Sequence, residues 1–267
     1  MTGEPDLPAL QALAERVAHE AAALLADGLD RARAEVSTKT TGTDLVTEMD
    51  RASEALIVEG LLSARPHDGI LGEEGADEPG TSGVRWVVDP LDGTTNYVYG
   101  FPGFNVSIAA EHQGAAVVGV VVDVVRGELF SARRGGGAHR DGVAIRTSEV
   151  QDLAAALVGT GFSYEPARRR RQAQVLVEVL PAVRDIRRQG AAALDLCSVA
   201  CGRLDAYYER GLAPWDLAAG GLIAAEAGAV VTDLHGATPA RGSVLASGPG
   251  VAEPLLALLQ RAGAGDA

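Results

Sequence analysis

The chain is poor in cysteine, with two among 267 residues, Cys197 and Cys201. Their spacing is not the C-x-x-C of redox sites, and no second Cys or His pair stands nearby. They read as small apolar helix residues. No apolar run approaches the ~20 residues that span a bilayer, which excludes a membrane-spanning helix. The stretch from Met1 to Asp6 lacks a basic segment followed by an apolar one, so no secretory signal is visible and a cytoplasmic location is expected. Basic charge is also scarce. Lys39 is the only lysine, and 23 Lys and Arg face 36 Asp and Glu, for a net charge of −13. A surface of that sign argues against direct nucleic-acid binding, because phosphate backbones are held by Lys and Arg.

What is present is a chain of alternating periodicities. Leu10, Leu13, Val17, Ala21 and Leu24 fall at helical spacing, so a helix is expected from Leu7 to about Leu29. A polar loop over Thr38–Asp44 precedes a second helix from about Val46 to Ala64. A short strand from Gly69 delivers Glu73 and Glu74 into a loop, and Ala76–Gly83 reads as a Pro/Gly/Ser-rich loop. Val84–Val88, Val106–Ala110, Ala115–Val125 and Glu128–Ala132 read as strands, and Asp141-Gly142 as a hairpin turn. The first half is thus expected to be a helix pair plus an antiparallel sheet. After about Arg146, short strands near Leu157, Asp185, Ala206, Val230 and Leu245 alternate with helices near 167–179, 191–202, 215–228 and 251–262. That is an α/β pattern with a second sheet, dividing the chain softly at 1–146 and 147–267. Arg168–Arg171 reads as a solvated helix face, or as a lip that attracts an anionic substrate or a subunit contact.

The segment Trp86-Val87-Val88-Asp89-Pro90-Leu91-Asp92-Gly93-Thr94-Thr95 is the most informative. An apolar strand ends in two carboxylates and a Gly-Thr-Thr helix start. Pro90 is expected to turn the chain sharply. Carboxylates and a free Leu91 carbonyl select hard cations, and the backbone N–H groups of Gly93, Thr94 and Thr95 suit phosphate oxygens. Asp89 is placed to bridge two ions. Asp-Gly alone is a common hairpin turn, and the alternate Asx positions of an EF-hand are absent. The D-x-D-G-T of aspartyl-phosphate phosphatases has one residue between its acids, whereas Pro90 and Leu91 separate these. That slip changes which way the second acid faces and favours attack by water over attack by aspartate.

Trp86–Ile108 resembles the inositol monophosphatase family. Gly72-Glu73-Glu74 is similar to its G-E-E loop, and Asp44-Leu45-Val46-Thr47-Glu48-Met49-Asp50 to its D-L-V-T-x-x-D segment. Trp215–Gly220 with Glu226-Ala227-Gly228 is similar to its W-D-x-A-A-G…E-A-G helix. The resemblance implies an α/β fold layered α-β-α-β-α, with a mixed sheet in its C-terminal half. It implies a magnesium-dependent phosphomonoesterase acting on a small sugar or polyol phosphate, with myo-inositol 1-phosphate first. Relatives act on fructose 1,6-bisphosphate, histidinol phosphate or nucleotide 3′-phosphates, and some serve as regulatory protein partners. It further implies two to three Mg²⁺ ions, inhibition by Li⁺, and a homodimer.

By the same resemblance, Glu73, Asp89 and the Leu91 carbonyl would hold one ion. Asp89, Asp92 and Asp216 would hold another, and Glu73 a third through water. Asp50, Thr94 and Glu73 would be catalytic, with Asp50 and the Thr94 hydroxyl acting on the attacking water. Gly93, Thr94 and Thr95 would bind phosphate. Glu209, Gly190, Ala191, Ala192 and Asp216 would meet the polyol, with Ala191 standing where the family usually carries a hydroxyl residue. Asp195 reads as a helix residue facing the same region. Lys39 would touch phosphate or water, or be merely solvated.

Overall fold

The structure is a computed structural model that describes residues 4–36, 43–239 and 242–266. Lys39 and most of the expected 38–44 loop lie outside them, as do the side chains of Asp44, Leu45, Val46 and Thr47. The helices are α1 (Leu7–Val36), α2 (Thr43–Ala64), α3 (Thr94–Tyr99), α4 (Pro166–Val179), α5 (Ala192–Ala200), α6 (Pro214–Glu226) and α7 (Pro249–Arg261). One eight-stranded sheet holds β1 (Gly69–Gly72), β2 (Asp77–Glu78), β3 (Val84–Asp92), β4 (Asn105–His112), β5 (Ala115–Asp123), β6 (Glu128–Arg133), β7 (Ala138–Arg140) and β8 (Val143–Ala144). A five-stranded sheet holds β9 (Leu157–Thr160), β10 (Asp185–Arg187), β11 (Ala206–Leu212), β12 (Val230–Thr232) and β13 (Gly242–Ser247).

These elements stack in five layers, α-β-α-β-α, and alternation along the strands explains the order. On β4, Val106, Ile108 and Ala110 face α1 and α2, while Ala109 on the other face joins the core under α5 and α6. On β11, Tyr207 faces α5, while Ala206 and Tyr208 face the outer core that α4 and α7 complete. The layers press together where side chains are missing. A Cβ at Gly119 on β5 would stand 2.7 Å from the Ala219 carbonyl of α6, and one at Gly220 2.9 Å from the Leu196 Cβ of α5.

The helix pair is longer than expected. α1 buries a stripe of Leu10, Ala14, Val17, Ala21 and Leu25, with Leu13 and Leu24 on its edges, and continues past Gly28 to Val36. Gly28 is tolerated because Tyr97 and Met49 approach there, and a Cβ would stand 2.7 Å from the Tyr97 hydroxyl. α2 starts at Thr43 rather than Val46. Two expectations about the first sheet need correction. Asp77–Glu78, read as loop, forms an edge strand on β1. The sheet is also mixed, because β1 and β3 pair in parallel with Gly72 opposite Val88. The chain leaves β1, passes through β2 and returns to lay β3 in the same direction as β1. The expected hairpin at Asp141-Gly142 is present, with φ of 51° and 76° at the two residues.

Candidate active site

The parallel β1–β3 pair puts two carboxyl ends side by side, where sites form in α/β sheets. Beyond Gly72 and Val88 come Glu73 and Asp89. The Glu73 amide donates to the Val88 carbonyl at 3.2 Å, and the two carboxyl groups share a hydrogen bond. β3 does not end at Val88, and Pro90 does not turn the chain out of the sheet, contrary to expectation. The strand runs to Asp92 through a bulge. Asp89 pairs with Ser107 and Asp92 with Asn105, so three steps on β3 match two on β4. Residues three apart on a regular strand face opposite sides, and the extra residue brings both acids to one side. Pro90 fits the bulge because no ladder N–H is needed there, and its carbonyl accepts the Ser53 hydroxyl at 2.9 Å.

Asp92 is then held from two directions. Its Oδ2 accepts from Asn105 Nδ2 at 2.8 Å and from the Ala193 amide at 2.9 Å. α5 has no side-chain cap of its own, so Asp92 supplies the acceptor that its first turn lacks. Asp216 comes from the first turn of α6, where its carboxylate accepts the Ala213 amide at 2.6 Å. Carboxylate oxygens of Asp89, Asp92 and Asp216 all lie within 4.8 Å of one another.

Such crowding is costly for ionised groups. Burial, then the charges of Glu73, Asp92 and Asp216, pushes Asp89 well above the usual carboxylate range. Burial also raises Glu73 and Asp92, though hydrogen bonds to Asp92 from Asn105 and backbone amides oppose the rise. Burial and Asp92 raise Asp216 to about 7. Burial, then Glu74, Glu73 and Glu54, raises Asp50 to about 8. An all-oxygen set of like charges that resist ionisation together suits a hard divalent cation, which would neutralise them. The residues fit Mg²⁺.

Glu73, Asp89, Leu91, Asp92, Gly93, Thr94 and Asp216 line one cavity of about 330 Å³ together with Gly190, Ala192 and Glu209. Gly93 opens α3 with φ 87°, and a Cβ there would stand 2.6 Å from the Gly103 carbonyl. The first-turn amides of α3 point toward its open end, as in any helix. α3 is fixed by Asn96 Nδ2, which donates to the carbonyls of Gly103 and Gln189, and by the Tyr97 hydroxyl, which donates to the Leu25 carbonyl at 2.9 Å. Glu209 accepts the Tyr207 hydroxyl at 2.5 Å, and burial raises its carboxyl.

Not every expected site residue lines this cavity. Asp50 is buried behind Glu73, and the Thr94 hydroxyl donates to the Leu91 carbonyl at 3.1 Å, so the expected Asp50–Thr94 pair is not hydrogen-bonded. Thr95 turns outward, its hydroxyl 3.2 Å from that of Tyr164. Ala191 is buried beneath Gly93. Asp195 is buried within reach of the Glu209 and Asp92 charges, with Oδ1 unpartnered.

Sequence reasoning missed Glu54, whose carboxylate accepts the amides of Glu74 at 2.9 Å and Ala76 at 3.1 Å and so shapes the acidic loop. The available signal was its place one helical turn after Asp50 on α2. Asn105 was passed over although it lies within Trp86–Ile108, and Tyr164 and Arg188 were missed because they lie outside every motif quoted above.

The sequence profile of the inositol monophosphatase family matches residues 6–264. An inositol-1-monophosphatase of Mycobacterium leprae is 49% identical over 272 residues, covering 94% of each chain. A Vibrio cholerae protein named Nus factor SuhB is 42% identical, covering 89% of this chain and 90% of the relative. The solved structure of Mycobacterium tuberculosis SuhB matches with a TM-score of 0.86 at 44% identity, covering 98% of this chain and all of that one.

Proposed function

Because this chain belongs to the inositol monophosphatase family, we propose that it is a magnesium-dependent phosphomonoesterase for small sugar or polyol phosphates, myo-inositol 1-phosphate first. The observation that carries this reading is the convergence of Asp89, Asp92 and Asp216 within 4.8 Å. In this reading the half up to residue 146 holds most of the cation ligands, and the half from 147 supplies Asp216 and the polyol side.

Glu73, Asp89 and the Leu91 carbonyl would hold one Mg²⁺. Asp89, Asp92 and Asp216 would hold a second, and Glu73 a third through water. When bound, Mg²⁺ supplies positive charge against the phosphate and acidifies water. The chain does the rest. The amides of Gly93, Thr94 and Thr95 grip the phosphate oxygens from the open end of α3. Asp50 takes a proton from the attacking water, which Thr94 orients, and Glu73 supports that step. Glu209 accepts a ring hydroxyl, with its own geometry fixed by Tyr207. Gly190 and Ala192 give the ring close access to the backbone, with Ala191 beneath.

The test is phosphate release from myo-inositol 1-phosphate with and without Mg²⁺, comparing the parent protein with Asp89→Asn and Asp216→Asn. Variants that keep parental turnover would overturn the reading. Added Li⁺ should inhibit, and sedimentation should show a homodimer. No described helix is long and apolar enough to cross a membrane, and we place the enzyme in the cytoplasm. A second reading, a protein-binding regulatory role, is favoured by the relative named Nus factor SuhB. Negligible turnover on a panel including fructose 1,6-bisphosphate, histidinol phosphate and nucleotide 3′-phosphates, together with co-purifying transcription proteins, would support it.

A further inference from the structure

The cavity that holds the acids also holds a cation. Arg188 lines it together with Tyr164 and Glu209. Its guanidinium fills the space that a side chain at Gly190 would need, because a Cβ there would run into Nη1. Gly190 also holds φ 90°, which disfavours any side chain at that position. The sequence thus keeps a gap open for this cation.

Three other arginines bordering a neighbouring crevice are already neutralised. Arg187 pairs with Asp185 at 2.7 Å, Arg203 with Glu128 at 2.5 Å and Arg126 with Asp123 at 3.1 Å. Arg188 makes no hydrogen bond or ion pair among the described residues. Its charge reaches Glu209 and Asp195, opposing the rise that burial imposes on both. It also lines that crevice, of about 390 Å³, so the residue borders two open volumes. A guanidinium presents donors in a planar fork that matches a carboxylate or phosphate with two parallel hydrogen bonds.

Resting on the phosphatase reading above, we propose that Arg188 is a specificity residue that binds a second anionic group of the substrate. Beside neutral polyol phosphates, the cavity accepts those carrying a carboxylate remote from the scissile ester, and binds them more tightly. The phosphate lies among the acids and the α3 amides, while the remote anion meets Arg188.

Sorbitol 6-phosphate and gluconate 6-phosphate differ only in a remote carboxylate and serve as probes. In the parent protein with Mg²⁺, KM for gluconate 6-phosphate should lie about 10- to 100-fold below that for sorbitol 6-phosphate, as expected for hydrogen bonds between charged groups. Arg188→Ala should bring the ratio close to one, Arg188→Glu should invert it, and Arg188→Lys should keep part of it. Calorimetric titration of both probes should give the same ranking without turnover. Equal affinities in the parent protein would overturn the proposal. So would Arg188→Ala shifting both probes by one factor, the mark of a residue that only tempers Glu209. Failure of the phosphatase reading looks different, because then no variant releases phosphate from either probe or from myo-inositol 1-phosphate.

Discussion

The Asp92 carboxylate accepts the Ala193 amide at 2.9 Å, joining the last residue of β3 to the first turn of α5. One oxygen thus caps a helix of the middle layer while its carboxylate faces the acid cluster. Substitution of Asp92 by Asn keeps an acceptor for Ala193 and Asn105 and removes one crowded charge. Without Mg²⁺, Asp92→Asn should melt at or above the parental temperature. The upward shift in melting temperature caused by Mg²⁺ should fall by more than half, and phosphate release should drop at least about 100-fold, as for loss of a group that stabilises transition-state charge. Thermal melts with and without Mg²⁺ separate the two effects.

The metal-free protein should lose stability as pH rises. Asp216 and Asp50 titrate from 3.8 when unfolded to about 7 and about 8 when folded. A raised carboxyl keeps its proton longer in the folded state, so the folded chain binds more protons between those values. Stability is therefore greatest at the acid end of that window and declines toward about pH 8. Saturating Mg²⁺ should flatten the slope, and Asp50→Asn should remove part of it. A metal-free melting temperature that climbs from pH 5 to 8 would contradict the assignment.

Glu54 should matter although it does not line the cavity. Glu54→Ala leaves the Glu74 and Ala76 amides without their acceptor, at a cost of about 1–3 kcal/mol. As an outer support of a ligand loop, it should also weaken Mg²⁺ about 10- to 100-fold. Chemical denaturation and a Mg²⁺ titration of activity check the two parts. Loss of stability with unaltered Mg²⁺ dependence would limit Glu54 to a structural role.

Gly28→Ala tests the packing of α1 against α3. Alanine favours a helix by about 1 kcal/mol over glycine. Here its methyl would press on Met49 and the Tyr97 hydroxyl, and overpacking costs about 1–3 kcal/mol. The variant should be less stable by up to about 2 kcal/mol, with lower kcat because Tyr97 anchors the helix whose amides face the cavity. A more stable variant would mean that the crossing of α1 and α3 is slack.

Much of this arrangement was legible because its signals are local. The alternating and helical spacings reveal most elements. The acids of the Asp89 segment stand next to Pro90 and Gly93, which mark the bulge and the helix start that follows. The relation of Glu73 to Asp89 was less legible, because it depends on β1 pairing in parallel with β3 across an intervening edge strand. The bulge at Pro90 was misread because proline marks both the end of a strand and a break in its ladder, and only the partner β4 decides between them. Glu54 and Arg188 stayed hidden because each acts by filling space left by a glycine, the distant Gly72 for the first and Gly190, two residues on, for the second. A gap and its occupant leave no shared pattern in sequence.

The acid cluster draws on β3 and on α6, two elements that lie far apart along the chain. During synthesis Asp89 and Asp92 leave the ribosome long before Asp216 does, so the emerging N-terminal half carries an incomplete, repelling set of charges. The contact of Gly119 with the Ala219 backbone forms only when α6 arrives, and it seats Asp216 in the same movement. Completion of the cluster therefore depends on a helix made late in the chain, and a molecule that stops short of α6 lacks one of the three acids that converge on the site.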